Sequence, residues 1–187
     1  AFLAHSIKYG RSGTAMPSYE TLVNPQGLAD LVALIRAWAR PVDTDPLPPF
    51  EPQIDQAVIN AGGPLAMLSA REGRFASAES VYRAVQEGES LIIIDARPSA
   101  DYLDGHISGA ISLPFYDVEA HVDQLPRGLT IITYCGCPHA ISGQAADALI
   151  DAGFESVFVL DEGFYEWRDR FGYPTTLGRE VGEPAQP

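Results

Sequence analysis

Three short runs without a charged residue, Leu91–Ile94, Thr130–Tyr134 and Val157–Leu160, constrain the fold more than anything else in the chain. Each is too short for a stable helix, and none alternates apolar with charged residues, which is how a strand buried on both faces reads. Helical patterns separate them. Ala78–Glu87 places Val81, Tyr82 and Val85 on one side, Ser142–Ala152 stops at Gly153, and Glu162–Arg170 reads as a final amphipathic helix. Strand–helix alternation of this kind predicts an α/β fold, a parallel sheet flanked by helices on both faces.

The first part of the chain reads differently. Residues 25–40 carry Leu28, Leu31, Val32, Ile35 and Trp38 at helical spacing, with Asn24 before Pro25 as a start and Pro41 as a stop. Five prolines fall among the twelve residues Pro41–Pro52, together with several acids. Such a composition predicts a stiff, extended linker. The expected division is a helical segment over 1–41, a Pro-rich acidic linker over 42–76, an α/β domain over 77–180 and a tail over 181–187.

The net charge of −13 is unevenly spread. Residues 77–187 hold eighteen acids against six arginines, a net −12. A field of that sign repels nucleic acid and anionic membrane surfaces, so neither is expected as a partner. No apolar run approaches the ~20 residues that a membrane-spanning helix needs, so no membrane insertion is expected. No basic segment followed by an apolar stretch opens the sequence, so no signal peptide is expected within it; a removed leader reads the same way.

The chemistry is concentrated in Thr133-Tyr134-Cys135-Gly136-Cys137-Pro138-His139-Ala140-Ile141-Ser142. Here a cysteine follows a buried strand, then comes a short turn and a helix start. In an open α/β sheet ligands bind at that edge. Amides of the turn and of the helix N-terminus converge there and favour an anion, and a thiol in such surroundings is partly thiolate at neutral pH. Cys135 is therefore the candidate nucleophile, against an inert buried cysteine or half of a disulfide. Gly136, Cys137, His139, Ala140 and Ile141 are the candidate anion cradle. Cys137 reads equally as a bystander or as a resolving thiol. Cys135, Cys137 and His139 could supply three metal ligands, but no fourth is evident and no metal is expected.

Three groups of residues resemble the rhodanese family. Asp95-Ala96-Arg97, Asp101-Tyr102 and Gly105-His106-Ile107-Ser108-Gly109-Ala110 look like its first signature, Tyr134-Cys135 with Ala145-Ala146 like its active-site loop and helix, and Leu160-Asp161-Glu162-Gly163-Phe164 with Trp167 like its closing signature. The resemblance implies a sulfurtransferase that carries a sulfane sulfur as a persulfide on Cys135, taken from a small sulfur donor and passed to a thiol acceptor. A non-catalytic module, binding an anion or a partner or sensing redox state through its cysteine, is the alternative. Two departures matter. The family's loops carry Arg, Lys or Thr at their ends, whereas His139 is the only ionisable nitrogen base here, and Pro138 lacks an amide hydrogen. The loop is also one residue longer than the sulfurtransferase norm. Related phosphatases and arsenate reductases have longer loops that end in Arg, and here that place is Ile141. Thiosulfate, a dianion, is accordingly expected to be a poor donor. Around the loop, Asp95 is expected to order backbone amides, Arg97 to pair with Asp101 or another acid, and His106 to hydrogen-bond structurally.

Tyr9-Gly10-Arg11-Ser12-Gly13-Thr14-Ala15-Met16-Pro17, with the helix that follows, resembles the second half of a class I cytochrome c domain. The resemblance makes Met16 a haem axial ligand in an intact domain only. The Cys-x-x-Cys-His attachment pattern is missing, so no cofactor is expected in this chain and haem c only in a longer parent. It also implies a periplasmic setting. Leu31, Ile35 and Trp38 would then lack their native core and promote association through the N-terminal apolar helix.

Overall fold

A computed structural model describes residues 2–9, 19, 21–38, 50–136 and 139–184. The chain divides into two compact units, residues 1–49 and 50–187. In the first, helix α1 (Phe2–Tyr9) packs on α2 (Pro25–Trp38). Asn24 Oδ1 accepts the Gly27 amide (2.8 Å) at the start of α2, as its position before Pro25 predicts. Leu31 and Leu34 are 38% and 46% exposed. Met16 and the proline-rich stretch 41–49 lie outside the described residues.

The second unit is an α/β domain. Its strands are β1 (Val58–Ile59), β2 (Ala70–Arg71), β3 (Phe75–Ala76), β4 (Leu91–Asp95), β5 (His106–Ile107), β6 (Ile111–Ser112), β7 (Thr130–Tyr134), β8 (Val157–Leu160) and β9 (Thr175–Thr176). The main sheet runs β1-β4-β7-β8-β3-β2, and β6 pairs with the end of β4 beyond β1. β4, β7, β8 and β3 are parallel, while β1 and β2 add antiparallel edges. β5 and β9 form a separate antiparallel pair.

Every residue of β4 and β7 is buried, and the pleat sorts them into two cores. Leu91, Ile93, Ile132 and Tyr134 face helix α3 (Ala78–Gln86) together with Phe164 and Trp167. Ile92, Ile94 and Ile131 face Ala145, Ala146 and Leu149 of helix α6 (Ala140–Asp151) and Val118 of helix α5 (Val118–His121). Two filled faces are why these strands read as unbroken apolar runs. The remaining helices are α4 (Ser99–Asp104) and α7 (Gly163–Tyr165).

Two boundaries differ from expectation. The linker over 42–76 is too long, because residues 58–76 supply β1, β2 and β3, three strands of the sheet. Two-residue strands carry too little periodicity to be read from sequence. Likewise the tail begins too early: the Gly109 amide donates to Val181 O (2.6 Å). The closing helix is also not regular. α7 runs into a π-helical turn, Glu166–Arg170, closed by Phe171 N donating to Glu166 O (3.0 Å). The wider turn keeps Phe164 and Trp167 both inside while the Trp167 indole donates to Pro174 O (3.1 Å).

Candidate active site

β7 ends at Tyr134, and Cys135 follows with only 2% of its surface exposed. Its Sγ lies 3.2 Å from Ser142 Oγ, in the first turn of α6. Ser142 is itself buried, and its carbonyl accepts the Thr133 hydroxyl (2.9 Å), which ties the strand end to the helix start. His139 caps α6 with a left-handed backbone (φ 72°). The first intrahelical bond runs from Gly143 N to His139 O (3.0 Å). The amides of Ala140, Ile141 and Ser142 precede it, and such first-turn donors together with the helix dipole favour an anion. The structure therefore brings Cys135, Gly136, His139, Ala140 and Ile141 into one loop and helix start. Cys137 and Pro138 lie outside the described residues.

The His139 ring turns toward acidic company. Its Nε2 sits 3.4 Å from Asp161 Oδ1, and its ring lies against Phe75 at 4.4 Å between centroids. Asp161 in turn accepts two hydrogen bonds from Arg71 (2.8 and 3.1 Å), which hold its carboxyl below the usual value.

Asp95 and Arg97 are brought to each other. The Asp95 carboxylate accepts the Arg97 amide (3.0 Å), the Arg97 guanidinium in a forked pair and the Tyr134 hydroxyl (2.7 Å). Arg97 also donates to Gly105 O (2.7 Å) and stacks over the Phe164 ring at 4.1 Å. The Tyr134 hydroxyl takes the Ile107 amide (3.1 Å). Burial works against the Arg97 charge, yet the hydrogen bonds and charge of Asp95 outweigh it and its pKa is raised. Arg97 thus pairs with Asp95 rather than Asp101. His106 is fully buried, with Nδ1 2.9 Å from Tyr102 O and its ring stacked on Tyr102. Burial is the main force lowering its pKa.

Residues of the closing segment complete the site and were not legible as such. The Phe164 amide donates to Cys135 O (2.9 Å). Gly163 sits at φ +72°, and a Cβ there would meet the same carbonyl at 2.9 Å, so only glycine passes this close to the loop. Tyr165 lies over Gly136, whose own added Cβ would reach that ring at 2.9 Å. Sequence alone does not single out Ser142 as a site residue; its signal is a hydroxyl in the first turn of the helix that follows the thiol. Among the described residues no group of three or more His, Cys, Asp or Glu is arranged to hold a metal.

Known proteins share this domain and its fold. Residues 77–170 match the rhodanese-like domain model. The thiosulfate sulfurtransferase GlpE of Shewanella oneidensis is 36% identical over 95 residues, 48% of this chain and 90% of that protein. An HTH-type transcriptional regulator of Mycobacterium tuberculosis is 33% identical over 117 residues, 62% of this chain, and the match spans only 50% of that protein. Among solved structures, a rhodanese-like domain from Anabaena sp. superposes with a TM-score of 0.52 at 32% identity, covering 62% of this chain and 86% of that one. With its mostly parallel sheet, its cysteine at a strand end and this match across half its length, the chain belongs to the rhodanese-like domain family.

Proposed function

We propose that the domain is a sulfurtransferase in which Cys135 carries the sulfur as a persulfide. The observation that carries this reading is the position of Cys135 Sγ at the end of β7, 3.2 Å from Ser142 Oγ and next to the first turn of α6. In the first half-reaction the thiolate attacks the sulfane sulfur of a donor. The donor's own sulfur–sulfur bond breaks, and its electron pair leaves with the departing thiolate or sulfite. In the second, a nucleophilic acceptor such as a thiolate attacks the outer sulfur of the persulfide, and Cys135 leaves as thiolate. The Ser142 hydroxyl donates to the sulfur anion in its charged state, and the Ala140 and Ile141 amides face the departing group.

Similarity to a thiosulfate sulfurtransferase supports the reaction class, whereas charge argues against thiosulfate as the preferred donor. The loop has no Arg or Lys, its single histidine faces Asp161, and residues 77–187 carry net −12. Persulfides of small thiols should load Cys135 more readily than thiosulfate. Steady-state kinetics test this: Cys135→Ser should lose all turnover with every donor, with ping-pong kinetics in the parent protein. Turnover that survives in Cys135→Ser but is lost in Cys137→Ser would move the nucleophile by two residues.

A second reading, a sensory module whose cysteine is a redox switch, is favoured by the near-complete burial of Cys135 and by similarity to a transcriptional regulator. We further propose that residues 1–41 are part of a cytochrome c-like domain in a periplasmic parent protein, on the strength of Gly13-Thr14-Ala15-Met16-Pro17 and the helix after it. This chain has no Cys-x-x-Cys-His attachment motif, so haem fixation is assigned to a longer parent and tested there by its absorbance spectrum.

A further inference from the structure

A second feature shares a wall with the segment that packs on the nucleophile's loop. Arg97, Asp101, Asp104, Gly105, Phe164, Tyr165 and Arg168 line a surface pocket of about 100 Å³. Its Phe164–Tyr165 wall is the segment that holds the loop, through the Phe164 amide on Cys135 O and the Tyr165 ring over Gly136. We infer that this pocket is the acceptor subsite and takes a small zwitterionic aminothiol, an amino acid thiol of about cysteine's size. The inference rests on Cys135 as the sulfur carrier.

Charge placement carries the argument. Of the two arginines, Arg97 is spent on Asp95 and Gly105 and is buried. Arg168 is different. Its side chain is 45% exposed and its guanidinium lies 5.4 Å from both the Phe164 and the Tyr165 ring. Asp169 takes its Nε and one Nη2 hydrogen, which leaves the other guanidinium hydrogens for a ligand carboxylate. That pair is solvent-exposed on both sides and therefore screened. The same pocket is lined by Asp101 and Asp104, three apart on α4 and so on one face of it. Both are exposed, and neither carboxylate has a hydrogen-bond or ion-pair partner among the described residues. They offer a place for an ammonium group.

Size and field narrow the ligand further. A volume of about 100 Å³ is roughly the share of three liquid waters, so the pocket seats the charged groups of a small ligand and not a whole tripeptide. A zwitterion has no net charge, so a domain at −12 does not repel it as it repels a dianion. Arg168 also sits in the π-helical turn, an irregularity frequent at functional sites. With the carboxylate on Arg168 and the ammonium on the two aspartates, the neutral zwitterion's thiol gives its proton to solvent, and the resulting thiolate attacks the outer sulfur of the Cys135 persulfide. The new sulfur–sulfur bond forms on the acceptor, and the old one breaks to return the Cys135 thiolate.

Single-turnover discharge of sulfur-loaded protein tests this with four probes: L-cysteine, cysteamine, 3-mercaptopropionate and 2-mercaptoethanol. Each thiol is compared with itself across proteins, so its intrinsic reactivity cancels. Arg168→Gln should slow L-cysteine and 3-mercaptopropionate about tenfold, as for one lost charged hydrogen bond, and leave the two thiols without a carboxylate unchanged. Asp101→Asn with Asp104→Asn should instead slow L-cysteine and cysteamine. Equal effects on all four thiols, or none, would overturn the subsite. A second measurement separates this from the nucleophile assignment: NMR titration of the protein with S-methyl-L-cysteine, which needs no loading. Shifts at Arg168 and Asp104 that vanish in Arg168→Gln support the pocket; no binding refutes it. Binding in a protein whose Cys135 never loads would leave an amino acid site and remove its role as acceptor subsite.

Discussion

β4 and β7 are neighbours in register, Asp95 opposite Tyr134, yet their ends are built to opposite purposes. At the end of β4 the Asp95 carboxylate accepts from Arg97 and Tyr134, and Arg97 closes onto Gly105. One residue past the end of β7, a thiol and the first-turn amides of α6 converge, with Ser142 as the thiol's neighbour. The saturated network is architecture: it fixes where the strand edge and the Gly105–Ile107 turn lie. The end of β7 instead sets a thiol beside the first turn of a helix, whose amides and dipole favour an anion. Charged residues near a site are thus a poor guide to its chemistry until their partners are counted.

Breaking the saturated end should give the largest effect. Asp95→Ala leaves the Arg97 guanidinium buried without its carboxylate, at a cost of about 3–5 kcal/mol. Thermal unfolding should show Tm lower by roughly 10 °C. An unchanged Tm would mean that the clamp is not structural.

The reactive end should respond in the other sense. Ser142→Ala removes the hydroxyl beside Cys135, and the rate of sulfur loading should fall about tenfold to a hundredfold, as for a hydrogen bond to a charged group. Its Tm should move far less than that of Asp95→Ala. A variant that loads at the parent rate would exclude Ser142 from the site.

How far the two ends could be read in advance also differs. The three core strands were legible, β7 and β8 to the residue and β4 to within one, because burial on both faces forces uniform apolar composition. Cys135 was legible because a strand end, a turn and a helix start follow one another in sequence. Tyr165 was not, since it acquires its role by folding back to Gly136 from a segment beyond β8. Strands β1, β2 and β3 were absorbed into an expected linker because two residues carry no period. Deleting residues 1–49 tests that revised boundary. Residues 50–187 should unfold cooperatively with little change in Tm, whereas a deletion extended through residue 76 should abolish folding by removing β1, β2 and β3.

The smallest effect is expected at Asp161. Its ion pair with Arg71 is largely solvent-exposed, so Asp161→Asn should cost no more than about 1 kcal/mol. The Arg71 hydrogen bonds hold the Asp161 carboxyl below its ordinary 3.8. That contribution is therefore complete at neutral pH and fades only as pH falls below 3.8 through the folded value. Removing the charge beside His139 should modestly raise the loading rate with thiosulfate; a fall would assign Asp161 a positive role in the site.

The contrast between the two strand ends comes down to whether Cys135 takes a sulfur. Intact protein treated with a small-thiol persulfide, alkylated and digested, can be mapped by mass spectrometry. The predicted result is one added sulfur on the peptide that carries Cys135, released again by a thiol acceptor and absent in Cys135→Ser. No added sulfur on Cys135 with persulfide, polysulfide or thiosulfate would contradict the account and leave the domain a binding or sensing module.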